Sequence, residues 1–423
     1  MDSLPARFSE MKSFLLFVVL FCGGLPLGAE PLPLAKPEEA GFSSERLERL
    51  HAGMQSFANE GKHAGLVTLI ARNGRIVDWR AYGYRNLEQK LPMEKDSIFA
   101  IYSMTKLVTA VAVLQLIEEG RLGLDDPVGN YLPQLKQVKV LTGGPADAPN
   151  LVPAKQPVTI RHLLSHTSGY TYDILSQGTL RELYQRQKLW EATSLADFVQ
   201  RAAALPLQHQ PGTEFTYGIS SDILGYVVEV VSGQSFDGYV QEHILTPLAM
   251  PDTGFRVPAE KRARLALLYT SGADGKLRRT DHILGGSPDA PFPSGGRGLF
   301  STAGDYARFA QMLLNGGQLQ GHRILGRKMV EAMQVNQLAG LEKPCNEFRE
   351  AYGYGLGVEM RTTMSKGDLP GSLGQFGWYG IATTHCDIDP HERTVTLVLT
   401  QHLPFDQHGL FSKFNALFYG AME

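Results

Sequence analysis

Cysteine is scarce in this 423-residue sequence: it has three, Cys22, Cys345 and Cys386. Three exclude a disulfide scaffold and a cysteine-built zinc site. Charge of one sign is lacking too. Forty Lys and Arg stand against 43 Asp and Glu, a formal charge of −3. With no basic block there is no electrostatic footprint for nucleic acid. No internal repeat or low-complexity tract occurs. There is no Gly-x-Ser-x-Gly elbow, which counts against an α/β-hydrolase. Gly295-Gly296-Arg297-Gly298 is followed by no Lys-Ser/Thr, so it is not a phosphate loop. His162 and His166 stand four apart, as in a zinc half-site. Leu163 fills the place of a metalloprotease Glu, and the pair reads as structural. His385 beside Cys386 reads as part of a strand and not as a Cys–His nucleophile. No metal or cofactor is expected.

What is present is an ordinary globular composition, 43% hydrophobic and 20% charged. At about 150 residues per domain, length alone would suggest roughly three domains. The first 29 residues differ from the rest. Arg7 and Lys12 precede an apolar run, Phe14 to Phe21, and Gly23, Gly24, Pro26 and Ala29 follow. Basic start, short apolar run and small-residue exit predict a secretory signal peptide, cleaved near Ala29. An uncleaved anchor is the alternative, though the run falls short of the roughly 20 apolar residues that span a bilayer. Cys22 follows the bulky Phe21, a poor lipoprotein site. The expected location is therefore secreted or periplasmic, with no membrane span in the mature chain. Export would place Cys345 and Cys386 in an oxidising compartment, as one bridge or two buried thiols.

Along residues 30–423, Ser43 to Phe57 predicts a helix with Leu47, Leu50, Met54 and Phe57 on one face. Leu66 to Arg72 and Ile76 to Ala81 flank Asn73-Gly74, a strong hairpin signal. Met104 to Glu119 predicts a long apolar helix closed by Gly120. Residues 125–290 hold helical stretches, Asp222 to Val231 and Phe236 to Leu245 among them, and few strand signals. Strands return at Tyr354 to Met360, Ile381 to Ile388 and Thr394 to Thr400, with a closing helix over Gln407 to Ala421. Strands at both ends with helices between predict an α+β fold. One lobe would be built from about 30–124 and 291–423, and a mainly helical lobe of about 125–290 inserted into it.

The sharpest chemical feature is Ser103-Met104-Thr105-Lys106 at the start of the apolar helix. At i and i+3 the two polar side chains share a face. A serine hydroxyl needs a neighbouring base to become a nucleophile. A lysine serves once burial and the helix N-terminus lower its pKa. Free backbone N–H groups at the helix start can hold an oxyanion. Taken alone the motif is weak, and Ser9-Glu10-Met11-Lys12 is a second match.

Its companions give it weight. They are Pro211-Gly212-Thr213-Glu214-Phe215-Thr216-Tyr217, Phe376-Gly377-Trp378-Tyr379-Gly380, Arg161 to Gly169, and Gly298 to Tyr306. With these the chain, from about 36 to 421, resembles the serine β-lactamase and penicillin-binding superfamily. It is most similar to the class C, family VIII carboxylesterase branch. The resemblance implies a β-lactamase/transpeptidase-like fold, an antiparallel sheet flanked by helices. It also implies an acylated Ser103, with Lys106 and Tyr217 sharing proton transfer. A cationic Lys106 would favour the Tyr217 phenolate as a base. The oxyanion hole would be the backbone N–H groups of Ser103 and Ile381. Trp378, Tyr379 and Gly380 would line the substrate, Gly380 letting its strand approach a ligand closely.

Two departures bear on substrate. Ile219 stands where β-lactamases have Asn, and Trp378 where they have Lys. An Ile cannot hydrogen-bond an amide, and an indole offers one neutral donor. Both disfavour an anionic amide and fit the esterase branch. The expected activity is hydrolysis of a small-molecule carboxylic ester. The alternatives are β-lactamase or D-Ala-D-Ala peptidase activity, an acyltransferase, or a non-catalytic penicillin-binding-like protein.

Overall fold

The first helix, α1 (Ser44–Asn59), begins at Ser43, whose side chain accepts from the Arg46 amide at 3.3 Å. Its buried residues are the four read from the periodicity: Leu47, Leu50, Met54 and Phe57. In the computed structural model, which describes residues 1, 32–283, 286–341, 351–364 and 369–423, α1 leads into a hairpin. Its strands are β1 (Gly65–Arg72) and β2 (Arg75–Asn86), and Asn73 and Gly74 between them take positive φ. That pair of left-handed residues is what a type I′ turn requires. A short β3 (Leu91–Pro92) pairs with β2.

The other strands of this sheet come from the far end of the chain. They are β4 (Tyr352–Tyr354), β5 (Glu359–Arg361), β6 (Phe376–Gly380), β7 (Thr384–Asp389) and β8 (Thr394–Thr400). Among the described residues they form one eight-stranded antiparallel sheet in the order β4-β5-β6-β7-β8-β1-β2-β3. The two ends of the chain meet at β1–β8, in register from Leu66↔Thr400 to Arg72↔Thr394.

Four further helices place the site or cover the sheet: α2 (Thr105–Glu118), α3 (Ser220–Ser232), α4 (Ala303–Leu314) and α5 (Leu410–Ala421). Alternation decides which strand residue meets which layer. Leu66, Ile70 and Val398 pack with Phe57 of α1 and Phe414 and Phe418 of α5. Val67, Leu69, Leu397 and Leu399 join the larger core, with α2 and α4. Both faces are covered, which is why β1 and β8 read as nearly continuous apolar runs.

The chain divides into two compact units, Met1–Glu30 and Pro31–Glu423, and the second holds every element above. The predicted signal peptide, Cys22 and Cys345 lie outside the described residues. Cys386 is a buried free cysteine. No helix of the described residues is long and apolar enough to cross a membrane.

Several elements differ from the sequence reading. The run Tyr354 to Met360 is the bend of a hairpin, since Gly357 turns with φ 83° and Gly355 N–H bonds the Val358 carbonyl. Strand β7 starts at Thr384, not Ile381, because Thr383 takes a φ of 61°. Phe236–Val240 is α-helical but Gln241–Leu245 is a π-helical turn. The middle region also holds a hairpin, Lys139–Gly143 with Asn150–Pro153. Its second strand is exposed throughout, so it carries no alternating apolar signal.

Candidate active site

The chain enters the site along a two-residue strand, Phe99–Ala100, paired with Phe300–Ser301. Tyr102 then takes φ 44°, a left-handed conformation that an aromatic residue rarely adopts. This bend and a 3-10 turn, Tyr102–Met104, set Ser103 just ahead of α2. Ser103 thus precedes the helix proper, and Lys106 stands in its first turn. The Tyr306 hydroxyl donates to the Met104 carbonyl at 2.9 Å, and the Leu299 amide donates to the Thr105 hydroxyl at 3.1 Å. These bonds fix the helix start.

Lys106 Nζ lies 3.0 Å from Ser103 Oγ and 2.7 Å from the Gly296 carbonyl oxygen. Its residue is 1% exposed. Burial pushes its pKa well below the ordinary lysine value, and Arg297 adds to this while Asp222 opposes it. A neutral amine has a lone pair for the serine proton, so Lys106 is equipped as a base.

Tyr217 arrives from the segment before α3. Its ring stands 4.6 Å beneath Lys106 Nζ. Ser103 and Trp378 both hydrogen-bond its hydroxyl, the Trp378 indole N–H at 3.1 Å. Burial raises its pKa more than these bonds lower it. The phenolate expected beside a lysine cation is therefore corrected: burial pushes the Lys106 pKa down and the Tyr217 pKa up, and so disfavours both the cation and the phenolate. Such a hydroxyl passes protons and does not store charge.

Ser103, Lys106, Tyr217 and Trp378 thus meet at one place. Ser103, Tyr217, Trp378, Tyr379 and Ile381 line a cleft of about 460 Å³. Tyr102, Tyr172, Ile174, Leu175, Phe215 and Phe405 line it too, and the sequence reading gave none of them a role in the site. Ile381 is the first residue past β6. Gly380 is corrected from the ligand-facing role. A Cβ there would come within 2.4 Å of the Ile101 carbonyl oxygen and of Thr384 Oγ1. The glycine lets β6 approach the segment carrying Ser103. Trp378 lines the cleft, but the one donor of its indole is spent on Tyr217. Ile219 is fully buried in the core at the start of α3.

Asp222, in the first turn of α3, is the residue the sequence reading missed. It is fully buried and ion-pairs with Arg297, which also lines the cleft and stacks on Trp190. The signal was a carboxylate five positions beyond Tyr217 in an apolar helix.

His162 closes a capping box with Thr159. His166 is buried and packs against the Tyr217 ring at 4.8 Å between centroids. His385 and Cys386 are neighbours on β7, so they point to opposite faces of the sheet. Among the described residues, no group of three or more His, Cys, Asp or Glu is arranged to hold a metal ion.

A family model described as Beta-lactamase matches residues 48–417. The chain belongs to the beta-lactamase family. Within this family it is similar to Esterase EstB of Burkholderia gladioli, 34% identical over 62% of this chain and 68% of that one. It is also similar to the monacolin J acid methylbutanoyltransferase of Aspergillus terreus, 30% identical over 80% of this chain and 86% of that one. Among solved structures, EstCE1, described as a hydrolase with promiscuous acyltransferase activity, superposes with a TM-score of 0.77 at 25% identity. The match covers 89% of this chain and 98% of EstCE1. The protein is therefore a serine hydrolase of the beta-lactamase fold with esterase and acyltransferase relatives.

Proposed function

We propose that the protein is an exported esterase that cleaves small-molecule carboxylic esters through an acyl-enzyme on Ser103. The observation that carries this reading is the buried Lys106 amine at 3.0 Å from Ser103 Oγ, at the foot of a largely aromatic and aliphatic cleft.

In the first step Lys106 takes the Ser103 proton as Oγ bonds the ester carbonyl carbon. The carbonyl oxygen becomes negative and is held by the backbone N–H groups of Ser103 and Ile381. Collapse breaks the bond to the alcohol oxygen, which leaves with a proton from the Tyr217 hydroxyl. Tyr217 recovers its proton from the Lys106 ammonium, so both groups return to their starting states. Water then repeats the sequence on the acyl-serine and releases the acid.

Arg297 is the cation among the described residues that line the cleft, and Asp222 neutralises it. This supports an uncharged acyl group over the carboxylate-bearing amides of cell-wall peptides. A second reading, transfer of the acyl group to an alcohol instead of water, is favoured by the likeness to EstCE1 and the methylbutanoyltransferase. Basic residues ahead of the Phe14–Phe21 run and the small-residue exit at Ala29 support export.

The test is expression with residues 1–423 intact and recovery from the exported fraction. The protein should have lost residues 1–29 by mass and should hydrolyse short-chain nitrophenyl esters. Ser103→Ala should abolish turnover. A panel of nitrocefin, a D-Ala-D-Ala peptide and added acceptor alcohols sorts lactamase, peptidase and transferase. Ester turnover that persists in Ser103→Ala, or none in the parent, overturns the esterase reading. An exported chain of full mass overturns the cleaved signal.

A further inference from the structure

Lys106 donates to the Gly296 carbonyl, and that carbonyl belongs to a turn, Ser294 to Arg297, that four contacts from Thr109 and Asp222 pin in place. Thr109 of α2 donates from its hydroxyl to the Gly295 carbonyl at 2.7 Å. The other three contacts converge on Asp222. Its Oδ1 accepts from the Ser294 hydroxyl and from the Gly296 amide, the latter at 3.2 Å. Its Oδ2 faces Arg297 Nη2 at 3.4 Å. The turn lies in contact with the start of α3. A Cβ on Gly295 would come within 2.3 Å of the Ser221 carbonyl oxygen, and one on Gly296 within 2.7 Å of Asp222 Oδ2.

We propose that Asp222 is a positioning residue: it holds the 294–297 turn so that the Gly296 carbonyl orients the Lys106 amine toward Ser103. The proposal rests on the reading of Lys106 as the base. A neutral amine carries two hydrogens and one lone pair. A hydrogen fixed on Gly296 at 2.7 Å leaves the lone pair free to meet the Ser103 hydroxyl. A turn loose by an ångström would let the amine rotate and present a hydrogen to Ser103 instead. An ion pair buried this deeply is a poor device for stability alone, since apolar residues of similar volume do as well or better. Its position, one residue from the carbonyl that Lys106 uses, gives it a task at the site.

Asp222 also acts on Lys106 through its charge. The titratable groups facing Lys106 are Asp222 on α3, Arg297 at the end of the turn, Tyr217 ahead of α3, and Tyr172 and His166 from the segment after the 160–164 helix. Asp222 favours the ammonium and Arg297 opposes it. Removing the carboxylate charge therefore lowers the pKa of Lys106 further. Removing the Arg297 charge raises it.

The test measures kcat and KM for a nitrophenyl ester, and the rate of Ser103 labelling by a fluorophosphonate, across pH. Asp222→Asn should shift the acid limb of both profiles to lower pH. Arg297→Gln should shift it upward. Ser294→Ala weakens the hold on the turn and leaves both charges. It should cut kcat about five- to tenfold, with KM within about twofold and the acid limb in place. Acid limbs of Asp222→Asn and Arg297→Gln that coincide with the parent's overturn the proposal. So does full kcat in Ser294→Ala, which decides the matter alone if Asp222→Asn does not fold. A parent whose Ser103 is not labelled at all overturns the esterase reading itself, and the role of Asp222 with it.

Discussion

At the scale of single residues, burial does most of the chemistry. Desolvation disfavours the charge on Lys106, which suits it to act as a base, and disfavours the Tyr217 phenolate for the same reason. Trp378 then matters as the donor that occupies one lone pair of the Tyr217 oxygen and aims its proton. Trp378→Phe keeps a ring to stack on Tyr379 and loses the N–H. A net neutral hydrogen bond is worth about 0.5–1.5 kcal/mol, so kcat/KM for a nitrophenyl ester should fall about two- to tenfold. Steady-state kinetics check this, and unchanged values would show that the bond takes no part in turnover. Ser103 and Lys106 were legible in the sequence because one helical turn holds both. The partnership of Tyr217 and Trp378 was not, since 161 positions separate them and only the fold supplies the contact. The sign of the Tyr217 shift was not legible either, because local sequence carries no burial.

At the scale of elements, the approach of β6 to the nucleophile segment decides the geometry. Thr384 Oγ1 donates to the Ile101 carbonyl at 3.3 Å, and Gln401 Nε2 donates to the Ala100 carbonyl at 3.0 Å. Both bonds tie the chain ahead of Ser103 to the sheet whose strand β6 leads into Ile381. Gly380→Ala forces these pieces apart. Misplacement by about an ångström can cost 10²-fold in rate. The expected result is a kcat loss of at least about tenfold with an unchanged far-UV circular dichroism spectrum. Full activity would mean that the spacing tolerates a methyl group. Helices and the hairpin at Asn73-Gly74 were readable because their signals are local. The bend at Gly357 and the exposed hairpin at 139–153 were missed. In the first, a turn hides within an apolar run, and in the second one strand is exposed throughout and has no buried face to mark it.

At the scale of the whole molecule, three histidines from distant segments meet beside β1. His63 and His402 rings lie 4.5 Å apart, and His408 stands 5.7 Å and 5.4 Å from them. Neither ring nitrogen of His63 has a hydrogen-bond partner among the described residues. Burial lowers the pKa of His63 from 6.5 to about 3 and that of His402 to about 4. The unfolded chain binds these protons more readily, so stability is lost as pH falls from 6.5 toward 3. Asp305, raised from 3.8 to about 6, acts in the other direction and weakens the fold as pH rises through that range. His63→Leu should shrink the fall in Tm between pH 6.5 and about 4.5 by a few degrees, read by thermal melts at each pH. An equal fall in the variant would remove His63 from the acid response. The pairing of β1 with β8 has a further consequence, for biosynthesis. Arg393 and Asn73, bonded at the end of that pair, are 320 positions apart. During translation the β1–β2 hairpin therefore carries an open edge until nearly the whole polypeptide has been made. Such an edge invites aggregation, and so remote a closure is slow. A nascent chain that cannot complete its sheet early stays threadable, the state a translocation pore demands of the export proposed above.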